Sequence, residues 1–133
     1  MKVLALDYGS ARTGVAVSDA TGTLARPVGV VERAASGAGL RRLAELVVEE
    51  GAERVVVGLP LTLRGEVGPQ AKETQRFLFA LRQAIDVPVE TFDERFTTTL
   101  ANRGPSSQAP EDARAAAHLL ETYLTYLARA GRA

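Results

Sequence analysis

Lys2-Val3-Leu4-Ala5-Leu6-Asp7-Tyr8-Gly9-Ser10-Ala11-Arg12-Thr13-Gly14-Val15-Ala16-Val17-Ser18-Asp19 opens with a strand, a tight turn and a second strand. Residues 2–8 alternate and are rich in β-formers, 9–13 carry turn chemistry, and Gly14 to Asp19 resumes an extended pattern. Outward from this pair, Thr21-Gly22 signals another turn. Leu24 to Glu32 reads as a third strand, and Pro27 within it requires a sheet edge or a bulge. Three short strands joined by tight turns predict an antiparallel meander.

Downstream the period changes. Leu40, Leu43, Ala44, Val47 and Val48 recur at helical spacing within Ser36 to Glu50, and Gly51 supplies a stop. Glu53 to Gly58 is a nearly continuous apolar run, as a buried parallel strand requires. Residues 59–69 carry two Pro and two Gly and read as a loop. Gln70 to Ile85 is helical, and Val87 to Phe92 is another strand. Thr97 to Asn102 reads as a short helix, Arg103 to Pro110 as a mobile Gly/Pro/Ser-rich connection, and Glu111 to Ala130 as a long final helix. The order β-β-β-α-β-α-β-α predicts an α/β fold over residues 1–133, a single domain with one mixed five-stranded sheet and flanking helices. This is the element order of the ribonuclease H-like fold. It also opens the sugar kinase, actin and Hsp70 ATPases, so it does not decide function.

Composition narrows the chemistry. The chain has 133 residues, 46% hydrophobic and 24% charged, a globular balance. It has no cysteine, which excludes disulfides, thiolate metal sites and a Cys nucleophile. With His118 its one histidine, a His-rich zinc site is excluded too. A metal must be held mainly by oxygen, pointing to Mg²⁺ or Mn²⁺. No apolar run reaches the roughly 20 residues of a membrane span. The N-terminus lacks the apolar stretch of about 7–15 residues of a signal peptide, so a cytoplasmic location is expected. Net charge is zero, which argues against a strong non-specific nucleic-acid binder but not against local grip on phosphates.

Three acidic positions stand out. Alternation places Val3, Ala5 and Asp7 on one face, with Asp7 near the strand's carboxyl end. An acid there is costly unless paired or bound to a cation; the alternative is a turn acid bonded to the Gly9-Ser10 backbone. Asp112 continues the helical stripe Ala116, Leu119, Tyr123 and Leu127, which should pack on the sheet. Its alternative role is favourable interaction with the helix dipole, which Glu111 serves equally well. Asp93 and Glu94 follow the last strand, and periodicity does not separate them. Asp93 is the better capping type and Glu94 the longer-reaching ligand. Such carboxylates suit two divalent ions about 4 Å apart, which hold a scissile phosphate and activate water.

Four segments together resemble the YqgF family of pre-16S ribosomal RNA nucleases, also described as Holliday junction resolvase-like. They are Leu6 to Asp19; Val57-Gly58-Leu59-Pro60-Leu61 with Gly65 and Gln70-Ala71; Phe92-Asp93-Glu94-Arg95-Phe96-Thr97-Thr98 with Ala101; and Asp112-Ala113-Arg114-Ala115-Ala116 with Leu119 to Leu124. The resemblance implies a ribonuclease H-like fold and divalent-metal hydrolysis of a phosphodiester, with Asp7, Glu94 and Asp112 as catalytic and metal-binding acids. It implies maturation of the pre-16S rRNA 5′ end, with nucleic acid as partner; the zero net charge adds the expectation that binding takes place on a preassembled ribosomal particle. Branched DNA as substrate, or a non-catalytic nucleic-acid-binding module, are the alternatives. The strand ending at Gly58 carries no carboxylate, and the resemblance implies that Glu94, one strand later, substitutes for it. Arg103 to Pro110 is shorter than the family's usual loop and lacks its basic residues.

Basic residues supply the candidate substrate contacts. Arg12, in a Gly-flanked turn beside Asp7, is a candidate phosphate clamp or else a solvated turn residue. Arg95 either holds Glu94, touches RNA or forms an ordinary surface ion pair. Lys72 lies with Arg76 on an exposed helix face, where it contacts substrate or is merely solvated. His118 is six residues past Asp112 and turns away from it.

Overall fold

The computed structural model describes residues 1–94 and 110–131. The expected short helix at Thr97 to Asn102, the Arg103 to Pro110 connection up to residue 109, and Arg95 lie outside the described residues. The elements are β1 (Val3–Asp7), β2 (Arg12–Ser18), β3 (Ala25–Glu32), α1 (Gly37–Glu50), β4 (Arg54–Leu59), α2 (Pro69–Ala84), β5 (Val89–Asp93) and α3 (Glu111–Arg129).

The five strands form one mixed sheet in the order β3-β2-β1-β4-β5. The meander β1-β2-β3 is antiparallel, and β4 and β5 add in parallel on the other side of β1. The position of Pro27 meets both of its alternatives: β3 is an edge strand, and its pairing with β2 shifts register between Val15 and Ala16. β2 begins earlier than its turn-like sequence suggests, with Arg12 opposite Glu32 and Thr13 opposite Val31. Backbone pairing to β3 draws these residues into the ladder, while the Thr13 hydroxyl closes the turn by bonding the Gly9 N–H and carbonyl, both at 3.4 Å.

Strand alternation divides the interior into two layers. Leu4, Leu6, Val15, Val55 and Val57 face α1 and α2, where they meet Leu43, Phe77 and Leu81. Val3, Ala5, Ala16, Val56 and Phe92 face α3, where they meet Ala116, Leu120, Tyr123 and Leu127. Helix α1 starts on Ser36, whose hydroxyl accepts from the Gly39 N–H at 3.0 Å, and ends on left-handed Gly51. The Tyr123 hydroxyl holds α3 at the amino ends of β4 and β5, accepting from Arg54 at 2.9 Å and donating to Glu90 at 2.7 Å. From that anchor α3 runs back toward the carboxyl end of β1. Asp112 lies eleven residues before Tyr123, about 16 Å of helical rise.

Candidate active site

The last residue of β1 is Asp7, in phase with Val3 and Ala5 and therefore on the α3 face. Its cross-strand partner in β2 is Gly14. In β4, Val57 pairs with Leu6, so Gly58 stands next along, beside Asp7. Both glycines share the phase of the α3 face, and both are buried.

Each glycine leaves room for a different acid. A Cβ on Gly14 would run into the backbone carbonyl of Asp112 and come within 3.0 Å of the Ala113 nitrogen. The first turn of α3 thus seats directly on β2, carrying Asp112 to Asp7. A Cβ on Gly58 would lie 2.7 Å from Cγ and 2.9 Å from Cδ of Glu94. The strand without a carboxylate is the one over which the neighbouring strand's glutamate folds. Isolated glycines within strands signal such close approaches, and both were visible in the sequence.

Electrostatics tie the acids together. Burial pushes the Asp7 carboxyl above its ordinary value, and the Asp112 charge adds to that. Glu94 is pushed up to about 7, by burial first, then by Asp7 and Asp93. Among the described residues neither Asp7 nor Glu94 has a side-chain hydrogen bond or ion pair. Asp112 faces Arg12, with Nε 3.4 Å from Oδ2. Arg12 is therefore a strand residue paired to a candidate ligand rather than a free turn residue. Among the described residues no three acidic or histidine side chains converge closely enough to hold an ion.

A cleft of about 250 Å³ opens beside Asp7 and Glu94, lined also by Tyr8, Pro60, Gln70 and Glu73. Asp93 pairs with Leu59 and is not part of its wall. Tyr8 stacks on Phe77, with ring centroids 4.4 Å apart. Burial, and then its hydrogen bond to Glu73, raises the Tyr8 pKa. Tyr8 and Glu73 carry no site signal in the sequence, because α2 meets the end of β1 only after folding. Lys72 is exposed on α2 and does not line the cleft. His118 lies on α3 and lines a separate hollow with Phe92 and Tyr126, to which none of the three acids contributes.

The chain matches the profile of the RuvX family, described as Holliday junction resolvase, over residues 1–126. A relative from Chloroflexus aurantiacus is 48% identical over 101 residues, 76% of this chain and 66% of its own length. The chain thus spans about two thirds of that relative. A relative from Rubrobacter xylanophilus is 46% identical over 92% of this chain and 91% of its own. Both carry the name "Putative pre-16S rRNA nuclease". Among solved structures, T. thermophilus RuvC in complex with a Holliday junction substrate superposes with a TM-score of 0.64 at 20% identity. It covers 99% of this chain and 97% of that one, a likeness of fold.

Proposed function

The chain belongs to the RuvX family, and on that premise we propose that it is a divalent-metal-dependent nuclease whose reaction centre is Asp7, Glu94 and Asp112. The observation carrying this reading is that Asp7 and Glu94 are two part-buried oxygen donors with no ion pair among the described residues, the pKa of Asp7 raised by burial and by Asp112, and that of Glu94 by burial, Asp7 and Asp93. Hard oxygen donors with no ion pair among the described residues fit a hard cation, and Mg²⁺ or Mn²⁺ is the class they suit. Two ions, when bound, would neutralise charge on the scissile phosphate and activate water.

The chain's own residues then have distinct tasks. Asp7 sits between the other two acids and serves as the shared ligand. Glu94 must lose its proton to act as a ligand, so metal and proton compete for it. Asp112 must give up its contact with Arg12, an exposed pair of the kind that contributes little to stability. Arg12, once released, is placed to grip a phosphate. Glu94 rather than Asp93 is the ligand, because Glu94 folds toward Asp7 over Gly58.

Pre-16S rRNA is the favoured substrate, from the names of the curated relatives, with assembled ribosomal particles as its context because zero net charge gives little general affinity for free RNA. Cleavage of four-way DNA junctions by the same centre is the second reading, favoured by the family's description. The test incubates purified protein and Mg²⁺ or Mn²⁺ with a precursor rRNA leader, free or in particles, and with a four-way junction. Metal-dependent cleavage that disappears in Asp7→Asn and Asp112→Asn is expected. Full cleavage by either variant overturns the assignment, and the preferred substrate separates the two readings.

A further inference from the structure

Arg33 joins β3 to α1 with φ at 47°, the one non-glycine residue of positive φ among the described residues. The fold holds its backbone from three sides. Its N–H donates to the Ala11 carbonyl at 2.9 Å. Its carbonyl accepts from the Ser36 N–H at 2.9 Å and the Ser36 hydroxyl at 2.7 Å. Gly39 packs so closely that a Cβ there would meet the same carbonyl.

Glycine adopts this conformation at no steric penalty, whereas an L side chain opposes it. Nothing within the described fold uses the Arg33 side chain. It is exposed, and its guanidinium has no ion pair or hydrogen bond among the described residues. A backbone that favours glycine but carries a guanidinium with no use among the described residues is the kind of position that a ligand explains. The position says which kind. Arg33 is bonded to the β1–β2 turn beside Arg12, on the rim that carries Asp7. Two strand spacings separate β3 from β1, about 10 Å, or about three nucleotides of one strand at 3.4 Å each.

We infer that Arg33 contacts a backbone phosphate of the nucleic-acid substrate a few nucleotides from the scissile bond, extending the track that begins at Arg12. The guanidinium fork suits a phosphate and reads no base sequence from the backbone. This rests on the nuclease reading only for the position of the scissile bond.

The experiment measures binding of a fluorescein-labelled RNA stem–loop without divalent metal, by anisotropy over a salt series, for wild type, Arg33→Gly and Arg33→Gln. Both variants should bind about tenfold more weakly at low salt, the size of one lost charge-assisted hydrogen bond. The slope of log K against log salt should fall by about one. Arg33→Gly should melt at or above the wild-type temperature, because it relieves the turn. Unchanged affinity and slope in both variants overturn the contact, as does a wild type with no affinity for the probe. An Arg33-dependent slope in a protein that cleaves nothing with Mn²⁺ supports the contact and rejects the nuclease reading instead.

Discussion

The side chain of Glu94 occupies the space that a Cβ on Gly58 would take, with Cγ, Cδ and Oε2 at 2.7, 2.9 and 3.0 Å from that position. β4 ends without a carboxylate, yet a carboxyl group stands over its end, delivered from the residue after β5. Residue 58 must therefore stay small for Glu94 to approach Asp7.

Gly58→Ala should separate site from fold. The added methyl meets the flexible part of a side chain, so stability should fall by less than about 1 kcal/mol. Glu94 must swing away, and a displacement of about 1 Å at a reacting centre costs about 100-fold in rate. Urea denaturation and cleavage kinetics on one preparation check both halves; an active Gly58→Ala enzyme would show that Glu94 does not act from this position.

Gly14→Ala should do the reverse, because its methyl meets backbone rather than a movable side chain. The first turn of α3 must lift from β2. A loss of about 1–3 kcal/mol is expected for such overpacking, together with loss of cleavage as Asp112 leaves Asp7. The urea midpoint reports the first, and an unperturbed midpoint would contradict the close seat of α3.

Glu94 gives the metal-free protein a pH dependence with a definite sign. Its carboxyl rises from 4.5 to about 7 in the folded state, so between those values the native protein holds a proton that the unfolded chain has released. The contribution of Glu94 to stability is therefore greatest below that window and falls as pH rises through it. Glu94→Gln should flatten this slope, measured by urea denaturation across the window. Cleavage should rise over the same range, because ligation needs the ionised form.

Arg12→Gln should leave stability within about 0.5 kcal/mol, since the Arg12–Asp112 pair is exposed on both sides. Mn²⁺ should bind more tightly once Asp112 is free of its competitor, while substrate binding weakens. Calorimetry with Mn²⁺ reads the first effect, and weaker metal binding in the variant would contradict competition at Asp112.

Tyr123→Phe should lower stability by about 1 kcal/mol, the usual net contribution of a hydrogen bond. It removes the hydroxyl between Arg54 and Glu90 but leaves that pair, 3.5 Å apart. The site lies at the other end of α3, so the cleavage rate of folded protein should hold. Parallel loss of rate and stability would show that this anchor positions Asp112.

The facing of Asp7 and Asp112 could be read before any coordinates, because it depends on local periodicity alone. Two residues per strand repeat put Asp7 with Val3 and Ala5, and 3.6 per helical turn put Asp112 with Ala116 and Tyr123. Element order followed from the same periods, punctuated by Gly and Pro. The choice between Asp93 and Glu94 had no such basis. It depends on which residue of β4 lies alongside, and pairing of β4 with β5 is a contact between separated segments. The partner of Arg12, the cleft wall from α2 and the burial that raises Glu94 likewise arise when distant elements meet. Gly14 and Gly58 stood in plain view as weak spots in strands. Packing turned them into the two gaps through which Asp112 and Glu94 reach Asp7.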